Sequence, residues 1–143
     1  MNPNIHYKLA SIDDLSAMID IGDELFDYDV KPNRAREFLE DPRHHMILAY
    51  DDNKIVGMAS AINYVHPDKD PALFINEVSV IDEFQNQGIG RTMVRKLCEF
   101  GKEIGCEEAW VATENSNSGA RKAYQAAGGK EDPEPVVLIN FDI

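Results

Sequence analysis

Gln85-Asn86-Gln87-Gly88-Ile89-Gly90-Arg91 lies between an apolar run over 73–81 and a segment, 89–104, with helical periodicity. In that segment Ile89, Met93, Leu97, Phe100 and Ile104 recur at spacings of four, four, three and four, which marks one helix face. A strand, a short turn and a helix leave the first helical amide N–H groups without internal partners. Those groups gather at the positive end of the helix dipole, where a diphosphate can sit. Gly88 and Gly90 carry no Cβ, so an anion can approach the backbone closely. The same two glycines are also compatible with an ordinary helix start.

Met93 stands where a dinucleotide fingerprint needs its third glycine, and no Gly-Lys-Ser/Thr follows, which argues against dinucleotide and triphosphate sites. The stretch resembles the Gln/Arg-x-x-Gly-x-Gly/Ala motif of the GNAT superfamily of N-acetyltransferases, as Gln85, Gly88 and Gly90. A second stretch is similar to that family's later motif, Asn-x-x-Ala-x-x-x-Tyr-x-x-x-Gly, as Asn117, Ala120, Tyr124 and Gly128. The resemblance implies acetyl-CoA as cofactor, with its pyrophosphate on Gln85, Asn86, Gln87, Gly88, Ile89, Gly90 and Arg91. It implies that the backbone of Val78, Ser79 and Val80 pairs with the pantetheine arm. Asn117, Ala120 and Tyr124 complete the cofactor set, and the Tyr124 hydroxyl protonates the leaving thiolate. One departure is that Asn86 and Gln87 replace the Arg or Lys common in this loop. Backbone amides, the helix dipole and Arg91 must then meet the phosphate charge.

Working outward, a strand is expected over 5–9. Ser11 then caps a helix, with Asp14 closing a shortened capping box and Leu15, Met18, Ile19, Leu25 and Phe26 as its apolar stripe. A second helix spans 33–40, stopped by Asp41-Pro42. Strands follow over 45–50 and 55–64, joined by the polar turn 51–54. The central strand runs over 73–80. A strand over 107–113 lies parallel to it, because a helix crossover joins them. Asn117 opens the last helix, Gly128-Gly129 closes it, and a β-branched final strand spans 136–141. The reading is one N-acetyltransferase domain over 1–143 of α/β (α+β) class. Its order resembles the GNAT fold, with a mixed sheet of about six strands flanked by about four helices.

The composition, 43% hydrophobic and 28% charged over 143 residues, is that of a soluble globular domain. No run approaches membrane-spanning length, and residues 1–10 lack a leader's basic-then-apolar layout, so a cytoplasmic protein is expected. Cys98, half-buried on its helix, and Cys106 read as reduced thiols. A net charge of −12 disfavours nucleic acid and anionic membranes and suits a cationic partner, although it also simply aids solubility. His44 and His45 are adjacent on a strand, point to opposite faces and cannot share a metal. No metal site is expected anywhere. The composition leaves room for a homodimer.

Glu77 interrupts the apolar central strand together with Asn76 and Ser79. A carboxylate there must be paired, hydrogen-bonded or used, and desolvation raises its pKa toward that of a working base. Alternation allows only one of Asn76 and Glu77 to face a cleft. In acetyltransferases of this kind the loop between the first two helices borders the acceptor, which makes Asp27, Tyr28 and Asp29 candidate contacts, with Asp142 near the terminus as a further one. Several stretches, including Leu25-Phe26, Val56-Gly57-Met58-Ala59 and 140–143, resemble the aminoglycoside 3-N-acetyltransferase branch, an antibiotic-resistance activity. The expected reaction is direct transfer of acetyl to a primary amine, with Glu77 as base and Tyr124 as acid. The alternatives are a non-catalytic acyl-CoA-binding regulatory module, or an acetyltransferase acting on a protein or another small amine.

Overall fold

Unbroken apolar runs in the middle of the chain become strands buried on both faces, and the sheet assembles from them. The computed structural model describes residues 4–143. Residues 1–3, on which the leader-free reading partly rests, lie outside those described. The elements are β1 (Ile5–Leu9), α1 (Leu15–Ile21), α2 (Pro32–Glu40), β2 (His44–Asp51), β3 (Lys54–Tyr64), β4 (Ala72–Val80), α3 (Ile89–Glu103), β5 (Glu108–Val111) and α4 (Ser118–Ala126). The strands lie side by side in chain order. β1 to β4 pair antiparallel, and β5 joins β4 in parallel after the α3 crossover.

His44 packs at a tilt against Phe38 of α2 at 5.3 Å, while His45 meets Phe100 of α3 edge-on at 4.7 Å. The two histidines therefore point to opposite faces as alternation requires, and they show the layering. α1 and α2 cover one face of the sheet, and α3, with α4 beside it, covers the other. Leu48, Val56, Met58, Leu73, Met93 and Leu97 are fully buried between these layers. Each contributes roughly 1.5–3 kcal/mol by leaving water.

The local signals at element ends act as expected. Ser11 and Asp14 form the reciprocal capping box, and the Asp14 carboxylate accepts from the Ser11 amide at 2.8 Å. Asp14 also accepts the Tyr50 hydroxyl at 2.7 Å and pairs with Lys8 at 3.0 Å, so one buried carboxylate ties the first helix to β1 and β2. Desolvation pushes its pKa up, but the hydrogen bonds from Tyr50, Ser11 and Lys8 outweigh this and hold it below the ordinary value. At the far end of the chain, Gly129 donates to the Tyr124 carbonyl and Gly128 to that of Gln125, with Gly128 at φ +107. This double bond past a left-handed residue terminates α4.

Four expectations are corrected. α1 stops at Ile21, because Gly22 adopts φ +46, although Leu25 still reaches the core. Ile104 lies just past α3 and is exposed, and Phe100 is only partly buried, so the fully buried apolar stripe ends at Leu97. Cys98 is exposed rather than half-buried. The strand expected over 136–141 does not form, which leaves five strands instead of about six. A strand exists only where its backbone groups find partners, and no residue from 135 to 143 makes a hydrogen bond in this chain.

Candidate active site

β4 delivers the site, and one irregularity in it decides which side chains the site receives. Ser60 of β3 faces Glu77, but the next residue, Ala61, faces Ile75, so Asn76 is an extra residue bulged from the ladder. A bulge reverses the faces of the residues beyond it. Leu73 packs under α3, where its Cδ2 lies 2.9 Å from the position of a Cβ on Gly101. Val78 lies under α3 too, 3.9 Å from the corresponding position on Gly90, although it stands an odd number of positions along the chain from Leu73. Glu77 therefore projects to the opposite face, on the side of the loop after α1. Its pKa is raised, chiefly by desolvation and further by the negative charge of Asp27. Of the two residues that alternation allows into the cleft, Glu77 is the one brought to Asp27.

Beyond Ile75 the sheet opens. β5 ends at Val111, opposite Ile75, so the outer edge of β4 from Asn76 to Val80 has no strand beside it. Its inner edge stays paired to β3. The free edge over Val78, Ser79 and Val80 can take an extended ligand by strand addition. The Gln85 amide nitrogen donates to the Val80 carbonyl at 3.0 Å and to Asp82 Oδ1 at 3.2 Å. Gln85 thus clamps the following loop to the strand end with the side chain expected on the ligand.

The loop then turns into α3. Asn86 and Gly88 have φ +62 and +80, and the first helical amide to reach a carbonyl is that of Thr92, on Gly88. The amides of residues 87–91 make no hydrogen bond. Arg91 folds back so that its Nη2 lies 3.1 Å from the position of a Cβ on Gly88. Its Nε is buried without a partner. Free amides, a helix N-terminus and an orphaned buried guanidinium nitrogen make up an anion cradle of the kind that a diphosphate fits. Ile89 is buried and offers only its amide, and the Gln87 side chain is drawn back to the Glu83 carbonyl at 3.4 Å. Thr92, not singled out from the sequence, braces the turn through a 2.8 Å bond to the Gly88 carbonyl.

The second motif sits across the opening. Asn117 caps α4 by accepting the Ala120 amide at 3.0 Å, so the two expected ligand contacts bond to each other. Tyr124 lines a groove of about 780 Å³ together with Ile75 and Val111, the pair at which β4 and β5 part. Its hydroxyl makes no hydrogen bond. Burial, and then the charge of Glu114, raises its pKa, so it holds its proton well above neutrality. Asp27, Tyr28 and Asp29 are exposed on the loop after α1. Asp29 Oδ1 lies 3.7 Å from the position of a Cβ on Gly22. Asp142 lies in the exposed terminal segment and is not among the groups that shift Glu77. Among the described residues, no group of three His, Cys, Asp or Glu side chains is placed to hold a metal ion.

Residues 12–128, which include both motifs, Glu77 and the loop after α1, match the acetyltransferase (GNAT) family. The chain belongs to that family. An aminoglycoside N(6')-acetyltransferase type 1 of Salmonella typhimurium is 26% identical over 101 residues, covering 68% of this chain and 70% of its own. An aminoglycoside acetyltransferase from an uncultured soil metagenomic sample, solved with sisomicin, superposes with a TM-score of 0.85. It is 20% identical, with 98% of this chain and 97% of that one covered. The aminoglycoside N-acetyltransferase AAC(6')-Iy, solved with CoA, gives 0.78 at 20% identity, with 99% of each chain covered. At such identities the solved structures show the fold alone. The named branch corrects the expected likeness to 3-N-acetyltransferases, because these relatives are 6'-acetyltransferases. As a GNAT acetyltransferase the protein is an acyl-transfer enzyme.

Proposed function

We propose that the protein transfers an acetyl group from acetyl-CoA directly to a primary amine on a cationic acceptor, with an aminoglycoside-type polycation as the favoured class. The observation that carries this reading is the continuity of β4. Glu77, the unpaired edge over Asn76–Val80 and the cradle at residues 87–91 follow one another along a single strand and its exit loop. Acetyl-CoA supplies the activated thioester. The amides of residues 87–91 and Arg91 hold its pyrophosphate, and the β4 edge holds the pantetheine arm. Glu77, on the acceptor side, takes the ammonium proton and frees the amine lone pair for attack. Tyr124, from the opposite wall, gives its proton to the departing thiolate. An aminoglycoside-type acceptor is supported by the 6'-acetyltransferase relatives, the net charge of −12 and the Asp27–Glu77 pairing of negative charge. A regulatory acyl-CoA-binding module would need the cradle but neither Glu77 nor Tyr124.

Gly88→Val tests the cradle. A side chain at φ +80 costs about 1–3 kcal/mol of backbone strain and pushes against the Arg91 guanidinium. Calorimetry should show CoA affinity reduced at least about tenfold, the equivalent of losing a single charge-assisted contact, with the circular dichroism spectrum retained. Unchanged affinity in a folded variant would contradict the assignment.

A further inference from the structure

The strand register lays out a second group of side chains on the face of the sheet that carries Glu77. Ser60 faces Glu77, Ile62 faces Phe74 and Phe74 faces Trp110, while Tyr64, Ala72 and Glu108 form the row beyond. Opposed residues of neighbouring strands share a face, as do alternate residues of one strand. With Asn76 bulged out, Glu77, Phe74, Trp110, Tyr64 and Glu108 therefore occupy one continuous face. α1 and α2 lie mainly over β2 and β3, so the part of this face on β4 and β5 stays open.

The middle of that open part is a fixed aromatic surface. Trp110 is 43% exposed, although folding mostly buries tryptophan. Its ring packs on Phe74 at 4.4 Å, and its indole N–H donates to the Tyr64 hydroxyl at 2.7 Å. Those two contacts hold the indole plane in place before any ligand arrives. The ends are carboxylates, Glu77 and Glu108, both exposed. Neither pairs with a cation or accepts a hydrogen bond among the described residues. The loop leaving Tyr64 brings Asp70 within a hydrogen bond of Glu107, just before β5, which adds negative charge at the far end.

We propose that Trp110, Phe74 and Glu108 form a second acceptor subsite, in which a ring of a multi-ring polycationic amine stacks on the indole and a second ammonium pairs with Glu108. An indole face takes both the apolar face of a ring and an adjacent positive charge. Glu77 and Glu108 stand roughly 14 Å apart at Cα, given one bulged residue, about 3.3 Å per residue and about 4.8 Å between strands. A single-ring monoamine reaches only the Glu77 end. The inference rests on the acyl-transfer reading, because it takes Glu77 as the reacting end, and it adds what the acceptor carries besides the reacting amine.

The test uses the full-length protein, with sisomicin as the polycationic probe and ethanolamine as the monoamine. Trp110 is the sole tryptophan, so its emission reports the subsite directly. Sisomicin should change that emission saturably without acetyl-CoA, and ethanolamine at equal ionic strength should not. Glu108→Gln should weaken the sisomicin titration about threefold, the scale of one exposed ion pair. In thiol release, the ratio of kcat/KM for sisomicin to that for ethanolamine should fall about tenfold in Trp110→Ala and about threefold in Glu108→Gln. Glu108 is exposed, so its replacement decides the matter even if Trp110→Ala unfolds. An emission unmoved by sisomicin, or a ratio unchanged in folded Glu108→Gln, would overturn the subsite while leaving acyl transfer intact. Thiol release absent with every amine would remove the acyl-transfer reading, and the subsite with it.

Discussion

An extra residue in one strand of an antiparallel pair turns over everything beyond it, and Asn76 does this to Glu77. Plain alternation from Leu73 would put Glu77 under α3, among Val94 and Leu97, where an unpaired carboxylate is costly. The bulge puts it beside Asp27 instead. The sequence shows that only one of Asn76 and Glu77 can face the cleft, but which one depends on a two-against-one pairing with Ser60 and Ala61 that no local pattern contains. The acid–base assignment has consequences at this scale. Because desolvation and Asp27 raise the Glu77 pKa, the acidic limb of the kcat/KM profile should lie above the ordinary glutamate value near 4.3. Asp27→Asn removes a negative charge that disfavours ionised Glu77, so the limb should move to lower pH. Glu77→Gln should abolish the limb and slow the reaction most near neutrality, where the amine is still protonated. A Glu77→Gln profile superimposable on the wild type would remove Glu77 as base. For Tyr124→Phe, kcat should fall on the order of a hundredfold while CoA affinity changes little. Turnover at the parental rate would assign the proton to another donor.

At the scale of elements, the legible features were those whose causes are local. Ser11 with Asp14, Asn117, and Gly128-Gly129 marked helix ends because capping chemistry acts within a few residues. The strands over 45–50, 55–64 and 73–80 were legible from unbroken apolar runs. Residues 136–141 carry an equally strong β pattern and are not a strand, because a strand also requires an edge to pair with. The tertiary role of Asp14 was not legible either. The sequence presents a capping carboxylate, and the fold makes it the buried acceptor of Tyr50 and Lys8 as well. Asp14→Ala removes the capping bond and strands the Tyr50 hydroxyl, so a loss of about 2–3 kcal/mol is expected in urea unfolding. The wild-type Asp14 pKa is lowered on folding. Its contribution is therefore complete above the unfolded value near 4 and lost as pH falls through the folded one. The stability gap between wild type and Asp14→Ala should narrow below pH 4 or so. A gap independent of pH would show that Asp14 acts through packing alone.

At the scale of the whole molecule, a surface carrying −12 over 143 residues attracts polycations before any contact forms. The GNAT architecture supplies the donor machinery, with a cradle at the end of the strand that carries Glu77. The acceptor was the least legible part of the sequence, because the site proposed for it draws on the α1–α2 loop and the far face of β4, each of which reads locally as an acidic turn or a core strand. Steady-state thiol release from acetyl-CoA across a panel of aminoglycosides, polyamines and neutral amines tests the central claim most directly. The account predicts release that requires a cationic primary amine, with KM rising and kcat nearly constant as ionic strength increases. Absence of amine-dependent thiol release from every member of the panel, in a protein that still binds CoA, would contradict it.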